Sequence, residues 1–379
     1  MLTEAPPAPA VRPVRVDSVL EALAAFGLPD SRRALPSAPF ADPDWSGFLD
    51  EVASARLPGL LAAAVADGAF PVTAAQRADV AALETDVAIG ALVLERLLLV
   101  VGEQLEADGV PVRVLKGPSV AHVDYADPSL RCFGDLDLLV RGDDFERAVA
   151  ALARIGGHRT VPELRRGFDR RFGKGATIAM PGDLELDLHR TLAAGPLGMT
   201  IRPDRLFERA ATFTIGGRTI HGLATEERFL HACIHAGLAP AAQLYSLRDV
   251  VQIARRPDLD LERALELARE WSARAVIARA VERAWSTFDL GDATPASTWA
   301  AGFEPGPAEA RMLDAYLTGD RSYTRRAVAT LRVIPGGRAK IAFARSLLFP
   351  GRAYLDARRV GRFDHVRRGT AHLRRGAAR

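Results

Sequence analysis

Two aspartates separated by a single residue give this sequence its clearest chemical signal. The segment Gly134-Asp135-Leu136-Asp137-Leu138-Leu139-Val140 predicts a β-strand that starts acidic and ends apolar. Side chains at positions i and i+2 of a strand share one face, so Asp135 and Asp137 would stand side by side. Such carboxylates repel each other unless a cation neutralises them. A hard divalent ion such as Mg²⁺ (or Mn²⁺) suits this pair, although solvated acids at the start of a surface strand give the same pattern.

A third carboxylate lies on a second predicted strand. From Leu184 to His189 leucines alternate with polar residues, so Glu185, Asp187 and His189 share one face. If this strand neighbours the first, Asp187 completes a metal site, with Glu185 as the competing candidate. The alternative is the solvated side of an edge strand. His189 could orient the carboxylate or carry a proton, or simply make a structural hydrogen bond.

The segment Leu115-Lys116-Gly117-Pro118-Ser119 predicts a strand that turns into a helix. Such a turn can present backbone N–H groups to an anion, and the Ser119 hydroxyl can assist, so Gly117 and Ser119 are candidate phosphate ligands. Pro118 removes one N–H donor from the turn. Lys116 could bind phosphate or neutralise the two aspartates. The GxxxxGK[ST] spacing of a Walker A loop is absent.

Other basic residues have two interpretations each. Arg131 could donate a fork of hydrogen bonds to a phosphate or form an ion pair at the surface. Lys174 could close over a bound phosphate group or lie on a plain hairpin turn. His231 and His235, four residues apart, have the spacing of zinc ligands, but without a third ligand we expect them to pack inside a helix.

The elements around these residues form an α+β pattern. We predict helices over Asp17–Phe26, Asp44–Asp67 and Thr73–Asp108, and then strands at Val112–Leu115, Leu136–Val140, His158–Val161, Thr177–Met180 and Leu184–Leu188, a hairpin at Ala211–Thr219, and helices from Thr225 onward. The predicted regions are a disordered N-terminus (1–16), N-terminal helices (17–109), an α/β core (110–222), C-terminal helices (223–336) and a basic helical tail (337–379).

Composition sets the broad class. The 379 residues are 48% hydrophobic and 26% charged, which is typical of a globular protein of about two domains. The longest apolar run, Ala88–Val101, is interrupted by Glu95 and Arg96, so no membrane span is expected. Without a signal peptide, and with only two cysteines, the sequence predicts a cytoplasmic protein.

Positive charge is concentrated at the C-terminal end. Residues 338–379 hold twelve Arg or Lys and two Asp, a local charge of +10 within a net charge of +3. This end could bind nucleic acid, an acidic partner or a membrane surface, or it could be a solvated helix and tail.

Taken together, these motifs resemble a known family. The order LKG-P-S, YADPSLRCFGDLDLLV and ELDLHR, over about residues 112–190, is similar to the uncharacterised nucleotidyltransferases of the DNA-polymerase-β-like superfamily. The matching positions are Lys116, Gly117, Tyr125, Asp127, Pro128, Arg131, Gly134 to Val140 and Asp187 to His189. The superfamily turn usually has Ser or Gly directly after its Gly, whereas here Pro118 intervenes.

The resemblance implies a small mixed β-sheet flanked by N-terminal and C-terminal helices. It also implies that a nucleoside monophosphate moves from a nucleoside triphosphate to an acceptor, with Mg²⁺ as cofactor. Asp135 and Asp137 would hold the metals that bridge the triphosphate. Asp187 would hold a second metal near the attacking hydroxyl, and Gly117, Ser119 and Gly134 would lie around the phosphates.

The acceptor stays open at this point. A small molecule or a protein hydroxyl is expected first, and the Arg-rich C-terminus raises an RNA-directed enzyme as an alternative. A further alternative is a binding or regulatory module that keeps the fold without turnover. The three converging acids favour an enzyme.

Overall fold

The computed structural model describes residues 16–239, 241, 243–317 and 322–359. Almost all of the predicted disordered N-terminus, and the last twenty residues of the predicted basic tail, lie outside these residues. None of the described helices combines the length and the apolar character that a bilayer span requires. The α-helices in chain order are α1 (Val16–Ala25), α2 (Asp42–Ser54), α3 (Pro58–Ala66), α4 (Ala74–Ala107), α5 (Pro118–Asp124), α6 (Phe145–Arg154), α7 (Phe168–Arg171), α8 (Pro196–Thr200), α9 (Thr225–Leu238), α10 (Leu244–Ala254), α11 (Leu261–Glu270), α12 (Arg274–Thr287), α13 (Pro295–Ala301), α14 (Pro307–Leu317), α15 (Ser322–Val333), α16 (Gly337–Leu348) and α17 (Arg352–Ala357).

The N-terminal helices follow the predicted pattern with one correction. The long helix α4 starts where its sequence signal lies, because Thr73 and Gln76 form a capping box. The single helix predicted over Asp44–Asp67 is instead two helices, α2 and α3. The chain breaks at Arg56, whose φ of 58° lies in the left-handed region, and resumes with Pro58 at the first position of α3.

A mixed seven-stranded sheet confirms the predicted α+β fold. The strands are β1 (Val112–Val114), β2 (Leu136–Val140), β3 (His158–Arg159), β4 (Gly175–Met180), β5 (Leu184–His189), β6 (Ala211–Ile215) and β7 (Arg218–Gly222). Their order across the sheet is β3-β4-β5-β2-β1-β7-β6. The central pair, β2 and β5, is parallel, and β5 pairs antiparallel with β4 on its other side.

Helices before and after the sheet share one apolar core. Residues of α1, α2 and α3 pack in the same buried cluster as residues of α9, α10 and α12. Two polar contacts fix this arrangement: Arg248 of α10 donates to the carbonyl oxygens of Ala24 and Phe26, and Ser31 bridges to Leu290. The two flanking helical regions therefore form a common support behind the sheet.

A buried ion pair anchors the short helix α5 beside the sheet. Arg228 of α9 donates to both carboxylate oxygens of Asp124, at 2.6 and 2.8 Å, and both side chains are almost fully buried. Because α5 begins directly after Lys116 and Gly117, this pair holds the turn between β1 and α5 in place.

Candidate active site

Parallel pairing of β2 with β5 brings two of the predicted aspartates together. Asp137 and Asp187 are direct partners in the strand register, and Leu139 pairs with His189 two positions further on. Ligand atoms of Asp137, Asp187 and His189 all lie within 4.8 Å of one another, which makes them a candidate metal-binding group. Carboxylates from two separate strands, Asp137 of β2 and Asp187 of β5, therefore lie close together, as the prediction requires.

Asp137 is the buried centre of this group. It accepts a hydrogen bond from His189 Nε2 at 2.7 Å through Oδ1, and Lys116 Nζ lies 3.0 Å from its Oδ2. Burial alone would raise the pKa of Asp137, but the His189 hydrogen bond and the charge of Lys116 outweigh it and hold that pKa well below its usual range. Asp137 is therefore an anion over the whole physiological pH range.

His189 supplies a neutral ring to this contact. Burial, and then the positive charge of Lys174, lower the pKa of His189, against the opposing effect of Asp137. Because the Asp137 carboxylate can only accept, the Nε2 of His189 carries the proton. Its buried Nδ1 has no hydrogen-bond partner among the described residues.

Asp187 is held from the opposite side by β4. Thr177, its partner in the antiparallel register, donates its hydroxyl to Asp187 Oδ1 at 2.6 Å. Lys174 lies just before β4, close enough to interact electrostatically with the site. Burial and then the charge of Lys116 lower the pKa of Lys174. The negative charges of Asp137, Asp187 and Asp135 oppose that shift. Two lysines of the chain thus flank the carboxylates.

The structure places Asp135 differently from the prediction. Its carboxylate is not part of the group of Asp137, Asp187 and His189, and its side chain is 44% exposed. Oδ1 of Asp135 accepts a hydrogen bond from Arg56 at 3.1 Å. The guanidinium of Arg56 in turn lies over the Tyr245 ring, 5.1 Å from its centroid. Asp135 therefore stands at the rim of the site and is paired there with an arginine.

Gly117 fits its predicted position in the turn, and Ser119 does not. Gly117 has a φ of 49°, and a Cβ added there would lie 3.3 Å from the backbone oxygen of Asp135, so the turn lies close to the start of β2. The side chain of Ser119 is fully buried against Gly222 of β7. Because it is buried, the Ser119 hydroxyl is not accessible to a phosphate group.

Of the two interpretations of Arg131, the structure shows an ion pair, but a buried one and not one at the surface. Its Nε and NH2 groups donate to both carboxylate oxygens of Asp249, at 2.8 to 3.2 Å, and its NH1 donates to the carbonyl of Cys132. Only 3% of the residue is exposed. The guanidinium lies 4.9 Å from the Tyr245 ring centroid, so Tyr245 contacts both Arg56 and Arg131. Arg131 therefore links the segment before β2 to Asp249 of α10.

The remaining candidate residues lie outside the group of Asp137, Asp187 and His189. Glu185 is exposed and does not belong to the metal-binding group, and Gly134 is exposed just before β2. His231 and His235 lie inside α9, where His235 Nδ1 hydrogen bonds with Ser246 of α10 at 2.9 Å. Burial lowers the pKa of His235 to about 3. These two histidines pack the helix pair.

Three residues at the site escaped the sequence analysis. Arg56 and Tyr245 belong to helical regions distant in sequence from β2, and no local pattern marks them. Thr177 could have been found, because an antiparallel hairpin of β4 and β5 with a tight turn at Asp183 places it opposite Asp187.

Comparison with known proteins identifies the family of the chain. The model of a family described as "Uncharacterised nucleotidyltransferase" matches residues 41–289, about two thirds of the chain. The chain belongs to this family. Among curated proteins no match was found. The family confirms the resemblance seen in the motifs and makes a nucleotidyltransferase the general class of the protein.

Solved structures show distant similarity to this chain. A crystal structure of ANT(2″)-Ia in complex with adenylyl-2″-tobramycin is 15% identical, with a TM-score of 0.35 over 48% of this chain and 98% of that one. An antigenic nucleotidyltransferase-like protein from Paracoccidioides brasiliensis is also 15% identical, with a TM-score of 0.34 over 52% of this chain and 92% of that one.

Proposed function

We propose that this family member transfers a nucleoside monophosphate from a nucleoside triphosphate to a hydroxyl acceptor and releases pyrophosphate. The observation that carries the proposal is the direct pairing of Asp137 and Asp187 on adjacent parallel strands. Lys116 forms an ion pair with Asp137, but Asp187 has no ion-pair partner among the described residues, so a bound cation would relieve the remaining repulsion between the two carboxylates.

The donor set fits a divalent metal ion. Carboxylate oxygens of Asp137 and Asp187 lie within 4.8 Å of each other, and oxygen is the ligand that Mg²⁺ and Mn²⁺ prefer. His189 already donates to Asp137, so it acts here as the residue that orients this ligand. Asp135 offers a further carboxylate at the rim. Such an ion, when bound, would neutralise the triphosphate and the developing charge on the reacting oxygens.

The residues around the metal ligands divide the work of binding and orientation. Lys116 and Lys174 supply positive charge for phosphate oxygens, and Gly117 lets the turn between β1 and α5 come close to them. Thr177 fixes the orientation of Asp187, which would accept the proton of the acceptor hydroxyl. The acceptor oxygen forms a bond to the α-phosphorus, the bond to the bridging oxygen of the β-phosphate breaks, and pyrophosphate leaves.

Metal-dependent pyrophosphate release tests the proposal. Each of the four nucleoside triphosphates would be incubated with the protein, Mg²⁺ or Mn²⁺ and a cell extract as a source of acceptors. We expect release that disappears with EDTA and in Asp137→Ala. Unchanged turnover in Asp137→Ala would remove the site assignment. Nucleotide binding without transfer to any acceptor would instead favour a regulatory module.

A second acceptor class is favoured by one surface feature. A recess of about 260 Å³ between α7 and α16 is lined by five arginines and no acidic residue: Arg165, Arg166, Arg171, Arg338 and Arg345. Such a cluster suits the phosphates of RNA, which would make the enzyme RNA-directed.

Salt dependence distinguishes this alternative from nonspecific attraction. The double variant Arg338→Glu/Arg345→Glu is expected to weaken RNA binding and to flatten the slope of log Kd against log salt concentration. Arg311→Glu, on the exposed face of α14, serves as the control. An equal slope in all three proteins would eliminate the recess as an RNA site.

A further inference from the structure

A large cavity adjoins the candidate metal site on the β4 side. Its volume is about 560 Å³, within the range of pockets for small molecules. Lys174, Gly175 and Thr177 line one wall, and residues of α15, α16 and α17 line the opposite wall. Since Thr177 hydrogen bonds to Asp187, the cavity lies one side chain away from a proposed metal ligand.

Strand order separates this cavity from the proposed phosphate-binding residues of the β1 and β2 side, and Lys174, which lines the cavity, lies at the boundary between the two regions. Asp187 on β5 stands between β2 and β4 in the sheet. Lys116, Gly117 and Asp137 belong to the β1 and β2 side, whereas the cavity lies over β4. A molecule in the cavity would therefore approach Asp187 from the side opposite to the proposed triphosphate.

The charge of the cavity wall is positive. Lys174, Arg326 and Arg358 contribute three cations, and Asp169 is the one acidic residue among the lining residues described. The carboxylate of Asp169 is already paired with Arg159, at 2.5 Å. An anionic group on the ligand would find complementary charge here, and a polycation would not.

Aromatic rings give the cavity an apolar part. Phe168, Phe172 and Phe343 pack against one another with ring centroids 5.5 to 6.1 Å apart. All three line the cavity, together with Tyr354. Such a surface binds a flat or apolar body while the basic residues bind the charged end.

The wall of the cavity that is formed by α15, α16 and α17 lies after the region that the family model matches. The match ends at residue 289, whereas Arg326, Phe343, Tyr354 and Arg358 all follow it. Residues outside the matched region thus complete the cavity. Members of one family that share a chemistry would be expected to differ in their acceptors at such residues.

We propose that this cavity binds the acceptor, and that the acceptor is a small molecule with a hydroxyl, an anionic group and an apolar or aromatic body. The proposal rests on the nucleotidyl transfer proposed above, in which the acceptor oxygen replaces pyrophosphate at the α-phosphorus and the hydroxyl proton passes to Asp187. It adds the class of acceptor and the residues that select it.

Filling the cavity tests this assignment. Ala327 lines the cavity on α15, so Ala327→Phe would occupy part of it. Its neighbour Val328 is 40% exposed and does not line the cavity, so Val328→Phe is the matched control. The probe is 8-anilinonaphthalene-1-sulfonate, an aromatic anion whose fluorescence rises on binding, compared with neutral N-phenyl-1-naphthylamine.

We expect the wild-type protein to prefer the anionic probe, and Ala327→Phe to bind it roughly tenfold more weakly. Val328→Phe should bind it like the wild type, and all three proteins should bind the nucleoside triphosphate with Mg²⁺ equally. Ala327→Phe should also slow extract-driven pyrophosphate release roughly tenfold. Equal probe binding by Ala327→Phe and the wild type would overturn the proposal. A loss of triphosphate affinity in Ala327→Phe would also overturn it, since the cavity would then hold the nucleotide.

A charge reversal keeps the test decisive if Ala327→Phe does not fold. Arg358 is an exposed residue at the cavity wall, directly after α17, so Arg358→Glu reverses a charge there; Arg352→Glu, at the start of α17 and away from the cavity, is its control. Of these two variants, only Arg358→Glu should weaken binding of the anionic probe. The proposed transfer fails separately, if the wild-type protein releases no pyrophosphate with Mg²⁺ and extract, because probe binding does not depend on turnover.

Discussion

Asp137 and Asp187 face each other across the parallel pair of strands β2 and β5, and each is held by a different neighbour. Lys116 and His189 contact Asp137, whereas Thr177 contacts Asp187. Asp137 and His189 are almost fully buried, and in such a low-dielectric surrounding small changes in the placement of charge have a large energetic effect. Substitutions at these residues and at their contacts therefore test this placement.

The first prediction distinguishes the two acidic residues of β5. Asp187→Asn keeps the shape of the side chain and its contact with Thr177 but removes the charge, so we expect pyrophosphate release to fall about a hundredfold or more. Glu185→Gln, two residues away and exposed, should leave the rate unchanged. Steady-state rates at saturating Mg²⁺ measure both. Comparable losses in the two variants would contradict the assignment of Asp187.

The second prediction concerns the residue that orients Asp187. Thr177→Val removes the hydroxyl that donates to Asp187 at 2.6 Å while keeping nearly the same volume. Loss of such a supporting hydrogen bond is expected to weaken metal binding by roughly 10- to 100-fold. The Mn²⁺ concentration that gives half-maximal pyrophosphate release measures this.

Thr212→Val provides the control for that experiment, because Thr212 is an exposed residue on β6 at the sheet edge. It should leave the Mn²⁺ requirement as in the wild type. If Thr177→Val also behaves like the wild type, the hydroxyl does not position the carboxylate.

The third prediction concerns stability. Arg131→Met leaves Asp249 buried without its charged partner, and breaking such a pair typically costs about 3–5 kcal/mol of unfolding free energy. Arg131→Met/Asp249→Leu should recover much of this loss, since neither charge remains buried. Urea denaturation gives the free energies of unfolding.

Arg352→Met is the matched control for the buried pair. Arg352 and Asp356 form an exposed ion pair at 3.7 Å, with 88% and 70% of their side chains accessible. We expect this variant to change stability little, since exposed pairs contribute little. A destabilisation by Arg131→Met no larger than that of Arg352→Met would show that Arg131 and Asp249 are not a structural unit.

The fourth prediction concerns pH. Burial raises the pKa of Asp169 from its usual 3.8 to about 6, because the charge of Arg159 offsets burial only in part and Glu163 and Glu146 add to the rise. The folded protein therefore holds this proton more tightly than the unfolded chain. The stability contributed by the protonated carboxyl is present below about pH 4 and is lost as pH rises through 6.

Asp169→Asn removes this titration. The unfolding free energy of the variant relative to the wild type should therefore rise between pH 4 and pH 7, by an amount on the order of 3 kcal/mol. Urea denaturation at several pH values measures the difference. A difference that stays constant with pH would show that Asp169 titrates normally.

Local patterns predicted the strands that carry the site. Alternation of leucine with polar residues identified β5, and an acidic start followed by an apolar run identified β2. The helix predicted over Thr73–Asp108 likewise agrees with α4, which the structure starts directly after Thr73. These features depend on neighbours along the chain, so they can be read from the sequence.

Local patterns did not predict which residues from distant segments contact each other. Asp135 and Arg131 share a short segment with Asp137, yet one pairs with Arg56 and the other with Asp249. Neither partner is marked by spacing or composition. The left-handed backbone at Arg56, which splits the predicted second helix, is equally unmarked.

The sequence by itself determined the chemistry available to this protein: the family motif, the acidic strand, the alternating strand with Asp187 and the basic turn at Lys116. Only the tertiary structure decided which of those groups meet. Parallel pairing of β2 with β5 selected Asp137, Asp187 and His189, and it left Asp135 at the rim. The helices after the matched family region closed a basic, aromatic cavity beside Asp187. The reason is physical: strand register and helix packing are set by the whole core, whereas a motif records only its own neighbours.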